Sequence, residues 1–156
     1  MTSTHDIGRA SETAVLNRLV QLGMEVLLPW SSHLGYDLAY YVVEEHRNLG
    51  FFVHREPRLV RIQVKTARLE PDGCSFTFST IATRPKKSHN ERNSYVGIAE
   101  YLAAYLPANG KVYMIPVSNA PRNTAVLRFR ECGPSSSPRW RDNGGKSPWW
   151  AEDYEI

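Results

Sequence analysis

The sequence predicts an α/β or α+β domain built on a mixed sheet, on two observations. One amphipathic helix opens the chain, and a series of short segments follows that either alternate in polarity or are rich in branched and aromatic residues. From Asp6 to Leu22, the residues Ile7, Ala10, Ala14, Val15, Leu19 and Leu22 recur mainly at helical spacing, and Gly23 is placed to end the helix. "MEVLLP" and "YDLAYYVV" come next, short, bounded by Pro and Gly, and read as strands. Residues 44–58, "EEHRNLGFFVHREPR", mark a hairpin end or an excursion. "LVRIQVKT" alternates, with Val60, Ile62 and Val64 on one face and Arg61, Gln63 and Lys65 on the other. "CSFTFST" alternates too, "EYLAAYLP" and "KVYMIPV" are joined by the turn "ANG", and "TAVLRF" closes a run of six or seven strands.

At 156 residues the chain has the length of one domain with one hydrophobic core. With 42% hydrophobic residues, 22% charged residues and a net charge of +3, it is globular and only mildly basic, so its overall field does not by itself argue for nucleic acid. Cys74 and Cys132 are far apart, lack CxxC spacing, and fit neither a disulfide framework nor a zinc site, which makes a reducing cytoplasm the expected compartment. No apolar run has the length of a membrane span, and the opening "MTSTHDIGRASETAV" has no signal-peptide core, so no membrane partner is expected. The organisation expected is a domain over 1–130 and a flexible or docking tail over 131–156, rich in Ser, Pro and Gly but holding Trp140, Trp149 and Trp150. Those rings, interleaved with Arg139, Arg141 and Lys146, suit stacking on bases, docking on the chain's own surface, or contact with a second subunit.

Three charges sit where burial is expected. Glu12 falls on the apolar stripe of the first helix, sharing a face with Gly8, Val15, Leu16 and Leu19. Asp37 opens one strand, and Lys65 lies on the polar face of another. Each has an ordinary reading: a solvated helix edge, a turn signal, an exposed strand face. One arrangement serves all three. If Asp37 and Glu12 converge beside the strand of Gln63 to Lys65, the two carboxylates and the Val64 carbonyl suit Mg²⁺ with several waters. Lys65 would then face the position of an attacking water or a phosphate oxygen, the components of metal-assisted phosphodiester hydrolysis.

The order G-x-x-x-E on a first helix (Gly8 to Glu12), G-Y-D opening a strand (Gly35 to Asp37) and Q-V-K in the next (Gln63 to Lys65) resembles the PD-(D/E)xK nuclease superfamily. "RIQVKTARLEPDGCSFTFST" and "SYVGIAEYLAAYLPANGKVYMIPV" resemble its branch of group I intron homing endonucleases and, more distantly, archaeal Holliday junction resolvases; the likeness runs over residues 6–129. The resemblance implies a restriction-endonuclease-like core, a central mixed sheet flanked by helices. It implies Asp37 as the central metal ligand, Glu12 as a ligand directly or through water, and Lys65 as the catalytic lysine. Gln63 stands where the superfamily more often has Asp or Glu. Its amide oxygen can still complete the shell of a hard cation, but with one charge fewer, so metal binding in the millimolar range is expected.

The expected activity is therefore Mg²⁺-dependent cleavage of DNA, with Mn²⁺ as a substitute, by a homing-type endonuclease. A junction resolvase, or a DNA-binding module that has lost cleavage, are the alternatives. One site per chain and two strands to cut imply a homo-oligomer. The segment Thr83–Asn93 reads as a basic loop in which Arg84, Lys86, Lys87 and Arg92 either track phosphates or form a solvated surface. Ser31, Ser32 and His33, just before Asp37, suit contact with the scissile phosphate, although a capped turn explains the serines equally well. Tyr95 and Gly97 in "SYVG" match the family pattern, and the resemblance implies that they shape the edge of the site, although a structural turn accounts better for Gly97.

Overall fold

The computed structural model describes residues 3–48, 52–85, 90–130 and 149–156. The helix α1 spans Thr4–Gln21 and is closed at both ends by its own sequence. Ser3 Oγ accepts from the Asp6 N–H at 3.2 Å while the Asp6 carboxylate accepts from the Ser3 N–H at 3.0 Å, a reciprocal capping box. At the other end Gly23 adopts a φ of +77°, which lets its N–H reach Val20 O and the Met24 N–H reach Leu19 O. Those are the two bonds of a Schellman motif.

The buried stripe of α1 consists of Ser11, Val15 and Leu19. Glu12 is one position off that stripe and exposed, which corrects the expectation that its carboxylate is turned toward the core. Ser11 takes that place because its small side chain finds partners there: its Oγ lies 2.6 Å from Thr66 Oγ1 and donates to Ile7 O at 3.1 Å.

The strands follow as β1 (Glu25–Leu27), β2 (Leu38–Asn48), β3 (Phe52–Thr66), β4 (Arg68–Leu69), β5 (Ser75–Ser79), β6 (Ile81–Pro85), β7 (Asn90–Ser94), β8 (Tyr101–Leu106), β9 (Lys111–Pro116), β10 (Thr124–Arg128) and β11 (Trp149–Trp150). The central sheet has the order β1-β2-β3-β8-β9 and is mixed: β3 and β8 run parallel, the other neighbours antiparallel. Of residues 44–58, the described ones extend β2 and β3 as an antiparallel pair, from Leu38↔Ile62 out to Asn48↔Phe52.

One face of this sheet packs on α1, where Val15 and Leu19 meet Leu38, Ile62, Val64, Ala103 and Val112. The other face carries Leu102, Ala104, Leu106, Tyr113 and Ile115 against Phe76, Phe78, Ala125 and Leu127 of a second sheet, ordered β11-β10-β5-β4. The expected central mixed sheet is thus present, and the described residues place α1 on one side of it and a second sheet on the other. The reason is visible in "CSFTFST" and "TAVLRF": strands with one apolar face bury it by facing a second apolar sheet.

Two further expectations change. Within the segment Thr83–Asn93, expected to be a loop, the described residues on either side of 86–89 pair as antiparallel strands, with Thr83↔Arg92 and Arg84↔Glu91 in register; Lys86, Lys87 and the side chains of Arg84 and Arg92 lie outside the described residues. Cys74 is disulfide-bonded rather than a free thiol. Sequence separation misleads here, because β10 pairs with β5 and brings the chain after Arg128 to the Cys74 end of β5, where Phe129 N–H bonds Cys74 O at 2.9 Å. Cys132 and Trp140 lie outside the described residues. Trp149 and Trp150 pair with Leu127 and Arg128 of β10, and Ala151 beyond them is buried. No helix among the described residues is long and apolar enough to cross a membrane.

Phe76 is fully buried with its ring centroid 4.6 Å from that of Tyr113, so it ties the two sheets together. Phe76→Ala is expected to cost about 3–5 kcal/mol of folding stability in urea denaturation, through lost burial and the cavity left behind.

Candidate active site

The site is built where β2 stops. Leu38 pairs with Ile62, so in an antiparallel register Asp37 lies across from Gln63, on the same face of the sheet. Gly35 at φ +75° turns the chain out of the short 3₁₀ turn Ser32–Leu34 and into this register; a Cβ there would come within 3.0 Å of Ile98. Asp37 N–H still bonds Ile62 O at 2.9 Å. Beyond that, Val64 N–H donates to Asp37 Oδ2 at 2.7 Å, so the carboxylate stands in for the next carbonyl of the ladder.

Gln63 Nε2 donates to Asp37 Oδ2 in a short hydrogen bond and to Val64 O at 3.4 Å. Two acceptor oxygens, one charged and one from the backbone, thus converge on a single positively polarised group. Lys65 lies two residues along on the same face. Its Nζ hydrogen bonds the Tyr95 hydroxyl at 2.7 Å, donates to Ile81 O at 3.4 Å, and stands 4.6 Å from the Tyr95 ring centroid.

Asp37, Gln63, Lys65 and Glu12 line one cavity of about 1020 Å³ together with Tyr95 and Ser31. Glu12 reaches it from the edge of α1. Burial raises the Asp37 carboxyl above the ordinary range, against the lowering effect of the Val64 N–H, Lys65 and Gln63. Glu12 is raised as well, by partial burial first and by the neighbouring Asp37 charge second. Burial lowers the Lys65 ammonium, and Asp37 opposes that shift. Two carboxylates that burial makes harder to ionise, beside a lysine that burial makes easier to deprotonate, form a site suited to binding a cation and to moving protons.

Among the described residues no group of three or more His, Cys, Asp and Glu could hold a metal. A cation here would draw on two carboxylates and neutral oxygens, a donor set that suits a hard ion keeping part of its water. Ser31 Oγ accepts from the His33 N–H at 3.3 Å and caps the 3₁₀ turn, so the capping role stands, while Ser31 also lines the cavity. His33 is exposed and is not among the lining residues; the Ser32 side chain lies outside the described residues. Sequence reasoning gave no partner to Lys65. Tyr95 supplies it, held by a turn in which Ile98 N–H bonds Tyr95 O at 2.9 Å and Gly97 sits at φ +78°. Arg61 steadies that turn, bonding Gly97 O at 3.2 Å and pairing with Glu100 at 2.7 Å.

A family model described as PD-(D/E)XK endonuclease matches residues 2–141. Among solved structures, a bacterial homing endonuclease, I-Ssp6803I, superposes with a TM-score of 0.62 at 19% identity, over 98% of this chain and 88% of that one. At that identity the likeness is one of fold, the restriction-endonuclease-like α/β core. No curated protein matches the chain.

Because the folded-state pKa of Asp37 is raised, ionised Asp37 opposes folding: stability is lost as pH rises from the ordinary aspartate value of about 3.9 through the raised one. Asp37→Asn, a neutral side chain that can still accept from Val64 N–H, is expected to melt higher than wild type at neutral pH in EDTA. The difference should vanish in acid. Equal melting temperatures at neutral pH would show that burial of this carboxylate costs the fold nothing.

Proposed function

We propose that this chain, which belongs to the PD-(D/E)XK endonuclease family, hydrolyses phosphodiester bonds in DNA with a divalent cation, in the manner of a homing endonuclease. The observation that carries the reading is the convergence of Asp37 Oδ2 and Val64 O on one donor group, with Lys65 on the same strand face. The Gln63 amide occupies the position in which a cation would meet both oxygens. Turning that amide over would offer its oxygen in place of its nitrogen, so Gln63 fits either as a stand-in or as a ligand.

Asp37, Glu12, Val64 O and Gln63 would hold Mg²⁺ or Mn²⁺, which lowers the pKa of bound water and offsets charge on the phosphate. Lys65 would place a positive charge beside the phosphate oxygens and orient the attacking water. Its lowered affinity for its proton suits it to exchange one with that water. Tyr95 would fix where the Lys65 Nζ stands. Arg84, Lys86, Lys87 and Arg92 belong to the same stretch of sequence as Ala82, Asn93 and Ser94, which line the cavity, and would contact the DNA backbone. A homo-oligomer would present one site to each strand. The extent of the match to I-Ssp6803I favours the homing branch over a junction resolvase.

Labelled supercoiled, linear, single-stranded and four-way-junction DNAs, incubated with Mg²⁺ or Mn²⁺, test this reading. Wild type is expected to cut, with Asp37→Ala and Lys65→Ala each binding DNA but losing activity by about 10²-fold or more. Cutting by either variant at the wild-type rate would remove that residue from the mechanism, and preference for the junction would select the resolvase branch. Gln63→Glu adds a carboxylate to the donor set, and is expected to lower the Mg²⁺ concentration needed for half-maximal thermal stabilisation. An unchanged titration would place Gln63 outside the metal's shell.

A further inference from the structure

We propose that Trp30 is a base-stacking wedge on the wall of the cleft, and that DNA is bound there with the base step beside the reacting phosphate opened. This rests on the reading of the site as a DNA-cleaving one. Trp30 is fully exposed, at 103% of its reference area, and its neighbour Leu28 is 66% exposed. Isolated apolar side chains on a surface are ordinary. Here Leu28, Pro29, Trp30 and Ser31 form one continuous stretch of the wall of the cavity that holds Asp37 and Lys65.

The stretch is anchored at both ends. β1 precedes it, and the 3₁₀ turn capped by Ser31 and closed by Gly35 follows. Pro29 fixes its own φ just before the ring and removes a backbone donor. The backbone that carries the ring is thus restrained in advance, which lowers part of the cost of using it to bind.

What meets it follows from the cleft. Asp37, Lys65 and Gln63 address a phosphate and its water. The next group along a nucleotide chain, on either side of a phosphate, is a sugar bearing a base. Every base has a flat face that stacks on an aromatic ring whatever its identity, and an apolar wedge entering a base step unstacks and kinks the duplex. Leu28, beside Trp30, adds apolar surface suited to a step that has lost its stacking partner.

The full-length chain in EDTA, which prevents cleavage, is titrated against a short fluorescein-labelled duplex and against the same duplex carrying a small mismatch bubble with 2-aminopurine inside it. Wild type is expected to bind the bubble more tightly than the paired duplex and to quench the 2-aminopurine. Trp30→Ala should lose about tenfold on the bubble and little on the duplex, with the quenching gone, while Trp30→Phe keeps most of both. Thermal melting should be unchanged in both variants, since the ring is wholly exposed.

The inference is overturned if Trp30→Ala binds both DNAs as wild type does, or weakens both equally. It is overturned as well if Trp30→Ala leaves DNA binding intact but changes the oligomeric state in light scattering, which would make this wall a contact between subunits. Wild type binding neither DNA would instead overturn the DNA-cleaving reading itself.

Discussion

The hydrogen bond from Val64 N–H to Asp37 Oδ2, at 2.7 Å, is the constraint on which the site depends. β2 and β3 pair from Asn48↔Phe52 to Leu38↔Ile62, and β3 then runs on to Thr66. Successive donors on one edge of a strand are two residues apart, so the next N–H on the β2 side of β3 is that of Val64. Leaving it unpaired in a largely buried position would cost free energy comparable to a lost hydrogen bond. The Asp37 carboxylate satisfies it. Sheet geometry and site geometry are therefore the same fact: the register that ends the ladder also sets Asp37 across from Gln63 and on the face of Lys65.

Burial works against both charges in this cavity, raising Asp37 and lowering Lys65, yet the two do not bond one another. Lys65 spends its hydrogen bonds on Tyr95 and Ile81 O. An Asp–Lys contact pair would offset much of the desolvation cost, but it would also fill the place where a third group could sit. Tyr95 holds the ammonium to one side. The support runs outward from there, through the Gly97 turn to Arg61 and Glu100, whose bidentate pairing lowers the Glu100 carboxyl and raises the Arg61 guanidinium. Arg61, Gln63 and Lys65 thus share a strand face and divide its work: one steadies a turn, one meets a carboxylate, one faces the cavity.

Much of this was legible in the sequence because it is local. Alternation in "LVRIQVKT" assigns Gln63 and Lys65 to one face, and "GYD" marks the strand entry that carries Asp37. The helix period was legible as well, but it misplaced Glu12, since a count of apolar residues passes over Ser11, a small polar residue buried by its bond to Thr66. What was not legible depends on contacts between distant segments. No local pattern says that "CSFTFST" faces the central sheet, that Cys74 lies at the end of β5 nearest the chain leaving β10, or that the hydroxyl of Tyr95 meets Lys65. The pairing of β6 with β7 was hidden for a different reason: these strands carry Thr, Arg, Asn and Glu and lack the apolar alternation by which strands are recognised.

The position of Glu12 follows from this same long-range order. Among the described residues its side chain makes no hydrogen bond or ion pair, so the cavity receives it because α1 is held in place. At its middle α1 is fixed to β3 by Ser11 and Thr66, and in its last turn Arg18 Nε donates to Ile156 O at 2.6 Å. Ile156 is itself held by its N–H on Val112 O at 3.1 Å, and Tyr154 O accepts from Met114 N–H at 2.8 Å, so residues 154–156 cover the open edge of β9. The far end of the described chain thereby clamps the helix to the sheet. A carboxylate that touches little can still be brought to the cavity when the helix beneath it is tied at its middle and in its last turn, and it keeps unused the lone pairs that a ligand would need.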